Sequence, residues 1–189
     1  LKEELTDIQP LVDVLAGPDA YRQLPMLIRN AIHSQEEGLD QKGLAVDLSV
    51  YETYHDVVPD RTDGVNAWIA VMRGCDNFCS FCVVPYTRGR ERSRDPEGIV
   101  QEARRIAEQG FKQVTLLGQN VNSYRFGDWD FARLITAVAD IPGIQRVRFT
   151  SPHPKDFPLS LLDAVVAHPN ICKQIHLPLQ SGSDRILGL

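Results

Sequence analysis

The sequence predicts an α/β protein built on a parallel sheet, and three observations carry that reading. Apolar runs of strand length alternate with runs of helical periodicity from Asn66 onwards, recurring roughly every 30 residues, as successive βα units do. The helical runs carry their own boundary signals. Asp95-Pro96-Glu97 joins a capping carboxylate, a proline for the first turn and an acid for the positive end of the helix dipole, and Gly110 stops the run. Finally, three of the four cysteines crowd into a loop leaving the first of these strands. That is the C-terminal strand end, where βα barrels place their chemistry.

Taken in order, residues 12–16 (VDVLA) form a short apolar run closed by Gly17-Pro18-Asp19, a strand and its turn. Residues 20–33 set Tyr21, Leu24, Leu27, Ile28, Ala31 and Ile32 at helical spacing, with Pro25 tolerated near the start. This pair reads as the tail of a separate α/β domain, residues 1–34. Residues 35–63 hold Glu36-Glu37, Gly38, Gly43 and Pro59 among scattered charge, with a brief extended piece at 44–50; they read as an interdomain connector in which Tyr51, Tyr54 and His55 pack rather than form a site. The core spans 64–189. Its strands are expected at 67–72, 113–117, 145–150 and 173–179, its helices at 96–109, 130–139 and 158–167, and Ser181-Gly182-Ser183-Asp184 opens another helix. Cys172, ahead of the fourth strand, reads as a buried thiol, and His176 within it as a satisfied core histidine.

Composition narrows the function. The chain is 43% hydrophobic and 24% charged, ordinary for a globular protein, and 20 basic against 25 acidic residues leave a net charge of −5. This is not a bulk nucleic-acid binder. No apolar run reaches the roughly 18 residues needed to span a bilayer, and no basic-then-apolar leader opens the chain, so a cytoplasmic location is expected. The chain begins at Leu1 rather than Met and stops at Leu189 inside a helix start, so it is expected to be part of a longer protein and inactive alone for the full reaction.

Cys75, Cys79 and Cys82 stand in the spacing C-x3-C-x2-C, with Phe81 directly before the last. Three thiolates on a short loop suit a cubane iron–sulfur cluster, which cysteine sulfur holds. Such a cluster has four irons, so one is left without a protein ligand and open to a small molecule. Zinc usually takes paired knuckles and four protein ligands, whereas His33, His55, His153, His168 and His176 are all remote in sequence. Arg88, Arg90, Arg92 and Arg94 alternate after the cysteines with only Glu91 opposing them. They read either as a solvated loop paired with Asp95, Glu97 and Glu102, or as contacts to phosphates or a carboxylate.

The pattern Cys-x3-Cys-x-aromatic-Cys at a strand end resembles the signature of the radical S-adenosylmethionine (SAM) enzymes. The continuation from Val83 to Arg94, VVPYTRGRERSR, and the stretch LLGQNVNSY are similar to the methylthiotransferases of the MiaB type, and the resemblance runs through most of the chain. It implies a partial (β/α) barrel of the radical SAM type with about four of six βα units present. It implies a [4Fe–4S] cluster on Cys75, Cys79 and Cys82 with SAM on the open iron, and one-electron cleavage of SAM to a 5′-deoxyadenosyl radical. The reaction would add a methylthio group to C2 of an isopentenylated adenosine beside the tRNA anticodon. A second SAM would give the methyl group, and a second [4Fe–4S] cluster, with ligands outside this chain, the sulfur.

Phe81, Gly118, Gln119, Asn120, Ser151 and Gln180 are the residues the resemblance sets around SAM. Radical SAM enzymes often carry a Gly-Gly-Glu motif here for the SAM amino group; Gly118-Gln119-Asn120 lacks the carboxylate, so an amide carbonyl would have to accept instead. Tyr86, Arg88 and Arg94 are expected to meet substrate, with Tyr86 or Tyr124 stacking on a splayed loop base. Implied partners are a tRNA anticodon loop and an electron donor such as a flavodoxin, with a monomer as the working form and no membrane. Other readings are a methylthiotransferase acting on a ribosomal-protein aspartate or on threonylcarbamoyladenosine, and a non-catalytic iron–sulfur or zinc module.

Overall fold

The computed structural model describes residues 11–39, 42–61, 64–150 and 152–188, in two bodies that comprise Leu1–Glu52 with Phe78–Gly89, and Thr53–Asn77 with Arg90–Leu189.

In the first body, strand β1 (Val14–Ala16) leads through a single 3-10 turn to helix α1 (Leu24–Glu36) and strand β2 (Gly43–Ala45), which pairs with β1 in parallel. Pro25 sits in the first turn of α1, where its missing N–H has no helical partner to lose. Leu27, Ala31 and Ser34 make the buried stripe, and Ser34 Oγ donates to Leu39 O at 2.7 Å beyond the helix end. The strand Gly43–Ala45 lies inside the segment read as connector, and it completes a small β-α-β unit. A three-residue strand carries too little alternation for the sequence to show its pairing. Helix α2 (Val84–Arg88) is the remaining element of this body.

The second body is centred on a parallel sheet. Its strands are β3 (Asn66–Ala70), which runs on through β4 (Met72–Arg73), then β6 (Gln113–Leu117) and β9 (Arg146–Phe149), in the order β3-β6-β9. β4 pairs antiparallel with β5 (Arg92–Ser93), and a hairpin joins β7 (Arg125–Phe126) to β8 (Trp129–Asp130). The helices α3 (Pro96–Glu108), α4 (Phe131–Ala139) and α5 (Leu159–Ala167) follow the sheet strands, and α6 (Asp184–Leu187) comes last.

The start and stop signals of α3 act as the sequence predicts. Asp95 accepts from Gly98 N–H at 2.8 Å. At the other end Gly110, at φ +94°, lets its own N–H reach Ala107 O and that of Phe111 reach Ile106 O, so two terminal carbonyls are satisfied. Asp130 caps α4 in the same way, accepting from Arg133 N–H at 2.8 Å.

Ile99, Ala103 and Ile106 of α3, Phe131, Leu134, Ile135 and Val138 of α4, and Leu161 and Val165 of α5 share one core with the alternate residues Ala67, Ile69, Val114, Leu116, Val147 and Phe149 of the sheet. In the register Ala70 lies beside Leu117, and Leu116 beside Phe149. The three strands therefore end level, and the loops that leave them share one rim.

The fourth strand expected at 173–179 does not form a ladder. A single parallel bridge joins Ile171 to Val147, with Val147 N–H on Asn170 O and Cys172 N–H on Val147 O. After that, residues 173–182 form no strand of the sheet. The apolar run asks for extended backbone, yet a strand also needs a continuing partner, and Pro178 has no N–H to give one. His176 is exposed and Cys172 half-buried, so neither is the buried core residue expected from the sequence. Among the described residues no helix is long and apolar enough to cross a membrane.

Candidate metal and cofactor site

The cysteine loop leaves β4 through Gly74, whose φ of +78° suits a residue without Cβ. The Gly74 N–H donates to Gln119 Oε1 at 2.7 Å, so the loop's first turn hangs from the loop after β6. Its neck is closed twice. Met72 pairs with Ser93 and Arg73 with Arg92 in the β4–β5 ladder. Beyond this, Asp76 N–H donates to Glu91 Oε1 at 3.3 Å and Glu91 N–H donates to Asp76 Oδ1 at 3.1 Å, while Arg90 Nε meets the same Asp76 oxygen at 2.9 Å. None of these bonds uses a thiol.

None of the four cysteines is in a disulfide, and Cys75 is 8% exposed with Asn77 Nδ2 at 3.7 Å from its sulfur. Cys79 and Cys82 are half-buried and form a turn in the first body, Cys82 N–H donating to Cys79 O at 2.9 Å. Among the described residues no group of three or more His, Cys, Asp or Glu side chains is assembled around a metal position; Cys75 belongs to one body and Cys79 with Cys82 to the other. The chemistry of the donor set fits an iron–sulfur cluster. It offers three reduced thiols within eight residues, and the fourth cysteine is ninety residues further on.

In the first body Phe81 is 73% and Tyr86 72% exposed, and Phe78 meets Tyr86 edge-on with ring centroids 5.8 Å apart. Arg88, at the end of α2, is also exposed. An accessible aromatic ring and a guanidinium on one short helix are what stacking and phosphate contacts require.

The loop after β6 is held from several sides. A Cβ on Gly118 would stand 2.6 Å from Met72 Cγ and 3.1 Å from Val121 Cγ1, so this position has room for glycine alone. Asn120 is 2% exposed; its Oδ1 accepts from His153 N–H at 3.1 Å and its Nδ2 lies 3.5 Å from Glu91 Oε1. Asn122 grips the same backbone, accepting from His153 N–H at 2.6 Å and donating to His153 O at 3.2 Å. The loops after β4, β6 and β9 are thereby cross-linked at the rim. Ser151 lies outside the described residues. Gln180 is exposed, at φ +66°, on the segment that follows the single bridge.

Arg94, like Arg92, is buried, unlike the exposed Arg88 and Arg90. Its Nη1 donates to Ala70 O at 2.5 Å and its Nη2 meets Glu102 Oε2 at 2.9 Å. Arg61 Nη2 takes the other carboxylate oxygen at 2.6 Å and reaches Trp68 O at 3.1 Å. β3 is an edge strand, and these two arginines satisfy carbonyls that no neighbouring strand pairs. Tyr124 is 1% exposed and donates its O–H to Arg94 O at 2.7 Å, so it is no platform for a base. Burial, reinforced by the charge of Asp95, pushes its phenol well above the ordinary value. Sequence reasoning missed the roles of Arg61, Glu91, Asn122 and the His153 backbone, because their partners lie 15 to 41 residues away.

A family model described as the radical SAM superfamily matches residues 69–189. The chain belongs to the radical SAM superfamily. Its relatives include the tRNA-2-methylthio-N(6)-dimethylallyladenosine synthase of Amoebophilus asiaticus, 49% identical over 206 residues, which span 100% of this chain and 41% of that protein. The CDK5RAP1-like protein of Caenorhabditis elegans is 45% identical over 218 residues, spanning 99% of this chain and 39% of the relative. The chain thus covers about two fifths of the length of the curated relatives it matches. Among solved structures, the radical S-adenosylmethionine methyltransferase TsrM from Kitasatospora setae, with tryptophan substrate and the SAM analogue aza-SAM bound, aligns with a TM-score of 0.53 at 20% identity, over 66% of this chain and 24% of that one. That likeness is one of fold, and it agrees with the parallel sheet of successive βα units that the radical SAM assignment requires.

Proposed function

We propose that this chain is part of a tRNA methylthiotransferase that adds a methylthio group to C2 of an isopentenylated adenosine beside the anticodon. The observation that carries the reading is the loop of Cys75, Cys79 and Cys82 at a strand-end rim, in a chain about half identical to a protein named for making that modified nucleoside. Residues 1–34 would close an N-terminal methylthiotransferase domain, 35–63 connect it, and 64–189 form the radical SAM core.

Cys75, Cys79 and Cys82 would hold a [4Fe–4S] cluster, with Phe81, Gly118, Gln119, Asn120, Ser151 and Gln180 near bound SAM. When bound, cluster and SAM supply one-electron cleavage chemistry that no side chain offers, and that an unactivated adenine C2 needs. The chain's own part is placement. The closed neck presents Cys75 at the rim, the bare Gly118 keeps the backbone low there, and the Asn120–Asn122 grip on His153 holds the neighbouring loops steady. Tyr86 would stack on a splayed anticodon-loop base and Arg88 would meet a phosphate. A second cluster with ligands outside this chain, a flavodoxin-like electron donor, a monomeric working form and a cytoplasmic location complete the proposal.

The test uses the full-length protein, reconstituted anaerobically. It is expected to bind about four irons at this site and to bind SAM, and replacing any of the three cysteines with alanine abolishes both. Mass spectrometry of tRNA nucleosides from a strain lacking the endogenous activity and supplied with this protein should show the methylthio product. A folded protein with free thiols that takes up no iron and sulfide refutes the proposal, as does unmodified adenosine in that tRNA.

A further inference from the structure

The loop Gly118-Gln119-Asn120 offers only amides where an acceptor for the amino group of SAM is expected, and in the folded chain those amides are committed. Gln119 Oε1 accepts from Gly74 and Asn120 Oδ1 from His153. An uncharged acceptor is also the weaker partner for an ammonium group, since a hydrogen bond to a carboxylate is charge-assisted.

A carboxylate is nonetheless present at this junction, and it comes from a different strand end. Glu91, on the return of the cysteine loop, is half-buried. Its Oε1 accepts from the backbone of Asp76, the residue after Cys75, and lies 3.5 Å from Asn120 Nδ2. Its Oε2 has no hydrogen bond among the described residues. Arg90 beside it in sequence pairs with Asp76 instead. One oxygen thus seats the carboxylate between the cysteine loop and the SAM loop, and the other is left to a ligand.

We propose that Glu91 receives the ammonium group of bound SAM and supplies the negative charge that the Gly118-Gln119-Asn120 turn lacks. This rests on the SAM-binding reading above and names the residue behind its selectivity for the amino group.

The experiment uses the full-length protein, reconstituted anaerobically, with iron content, equilibrium dialysis against SAM and against its desamino analogue, and the change in the reduced cluster's electron paramagnetic resonance on adding SAM as readouts. Glu91→Gln keeps an acceptor for Asp76 N–H, so it should retain its iron. It should bind SAM about ten- to a hundredfold more weakly, give a reduced spectral change, and bind the desamino analogue as the wild type does. Asp76→Ala removes a clasp oxygen but leaves the Glu91 carboxylate, and should bind SAM within about twofold of the wild type. Wild-type SAM affinity in Glu91→Gln overturns the proposal. So does an equal loss for both ligands, a matching loss in Asp76→Ala, or loss of iron in Glu91→Gln, each of which makes Glu91 a loop clasp. A wild type that holds iron but does not bind SAM fails the underlying reading itself.

Discussion

Two clusters of opposite charges tie the cysteine loop's return to the sheet, and they differ in burial. Arg61, Glu102 and Arg94 form a closed triad whose side chains are 12%, 8% and 6% exposed. Asp76, Glu91 and Arg90 form an open clasp at the loop neck, where the Arg90 side chain is 66% exposed. Water screens the clasp and competes for its hydrogen bonds, so it contributes little to stability and keeps its carboxylates accessible. The triad is nearly dry, so each charge depends on the others. Residue type alone does not separate an anchor from a contact surface. Burial does.

The largest test of this contrast is Glu102→Ala, which strands two guanidinium groups in the interior. A loss of about 3–5 kcal/mol is expected, read from the shift of the urea midpoint at constant slope. A loss below about 1 kcal/mol would mean that water reaches the triad and the distinction collapses.

Tyr124→Phe comes next, because its hydroxyl completes the anchor at Arg94 O. At neutral pH it should cost about 1 kcal/mol. In the wild type the raised phenol pKa means that the native state keeps a proton which the unfolded chain releases above about pH 10. The phenol's share of stability is whole below that pH and fades above it, by up to about 1.4 kcal/mol per pH unit. Urea titrations at neutral and strongly alkaline pH should therefore show the gap between wild type and Tyr124→Phe shrinking as pH rises. A gap that stays constant would place the phenol in water.

The smallest effect belongs to Arg90→Ala, about 0.5 kcal/mol or less by thermal melt, and less again in high salt. A loss above about 1.5 kcal/mol would make the clasp an architectural element like the triad.

Features set by neighbouring residues were legible in the sequence. Asp95-Pro96-Glu97 and Gly110 bound α3 because capping acts over three or four residues, and the helix faces of α3 and α4 follow directly from their spacing. The cysteine trio was legible for the same reason, as the ligands of one loop stand close in sequence. Arg94 was not. Its place in an alternating row of arginines suggests an anion contact, but Glu102, eight residues on, claims it while also pairing with Arg61 from the connector segment. The fourth strand was expected at 173–179 and does not form a ladder, because an apolar run reports extended backbone and not the partner that a ladder needs. Glu91 and Asn122 gave no signal, since what they hold lies 15 and 31 residues away.

By itself the sequence determined the βα order, the helix ends and the thiol-rich loop, all of which depend on interactions along a few consecutive residues. Only the tertiary structure decided which charges are buried as anchors and which remain at the rim, and which amide oxygens are already spent. Those depend on pairs that folding brings together from distant parts of the chain, and on the water that folding removes from some of them and leaves around the others.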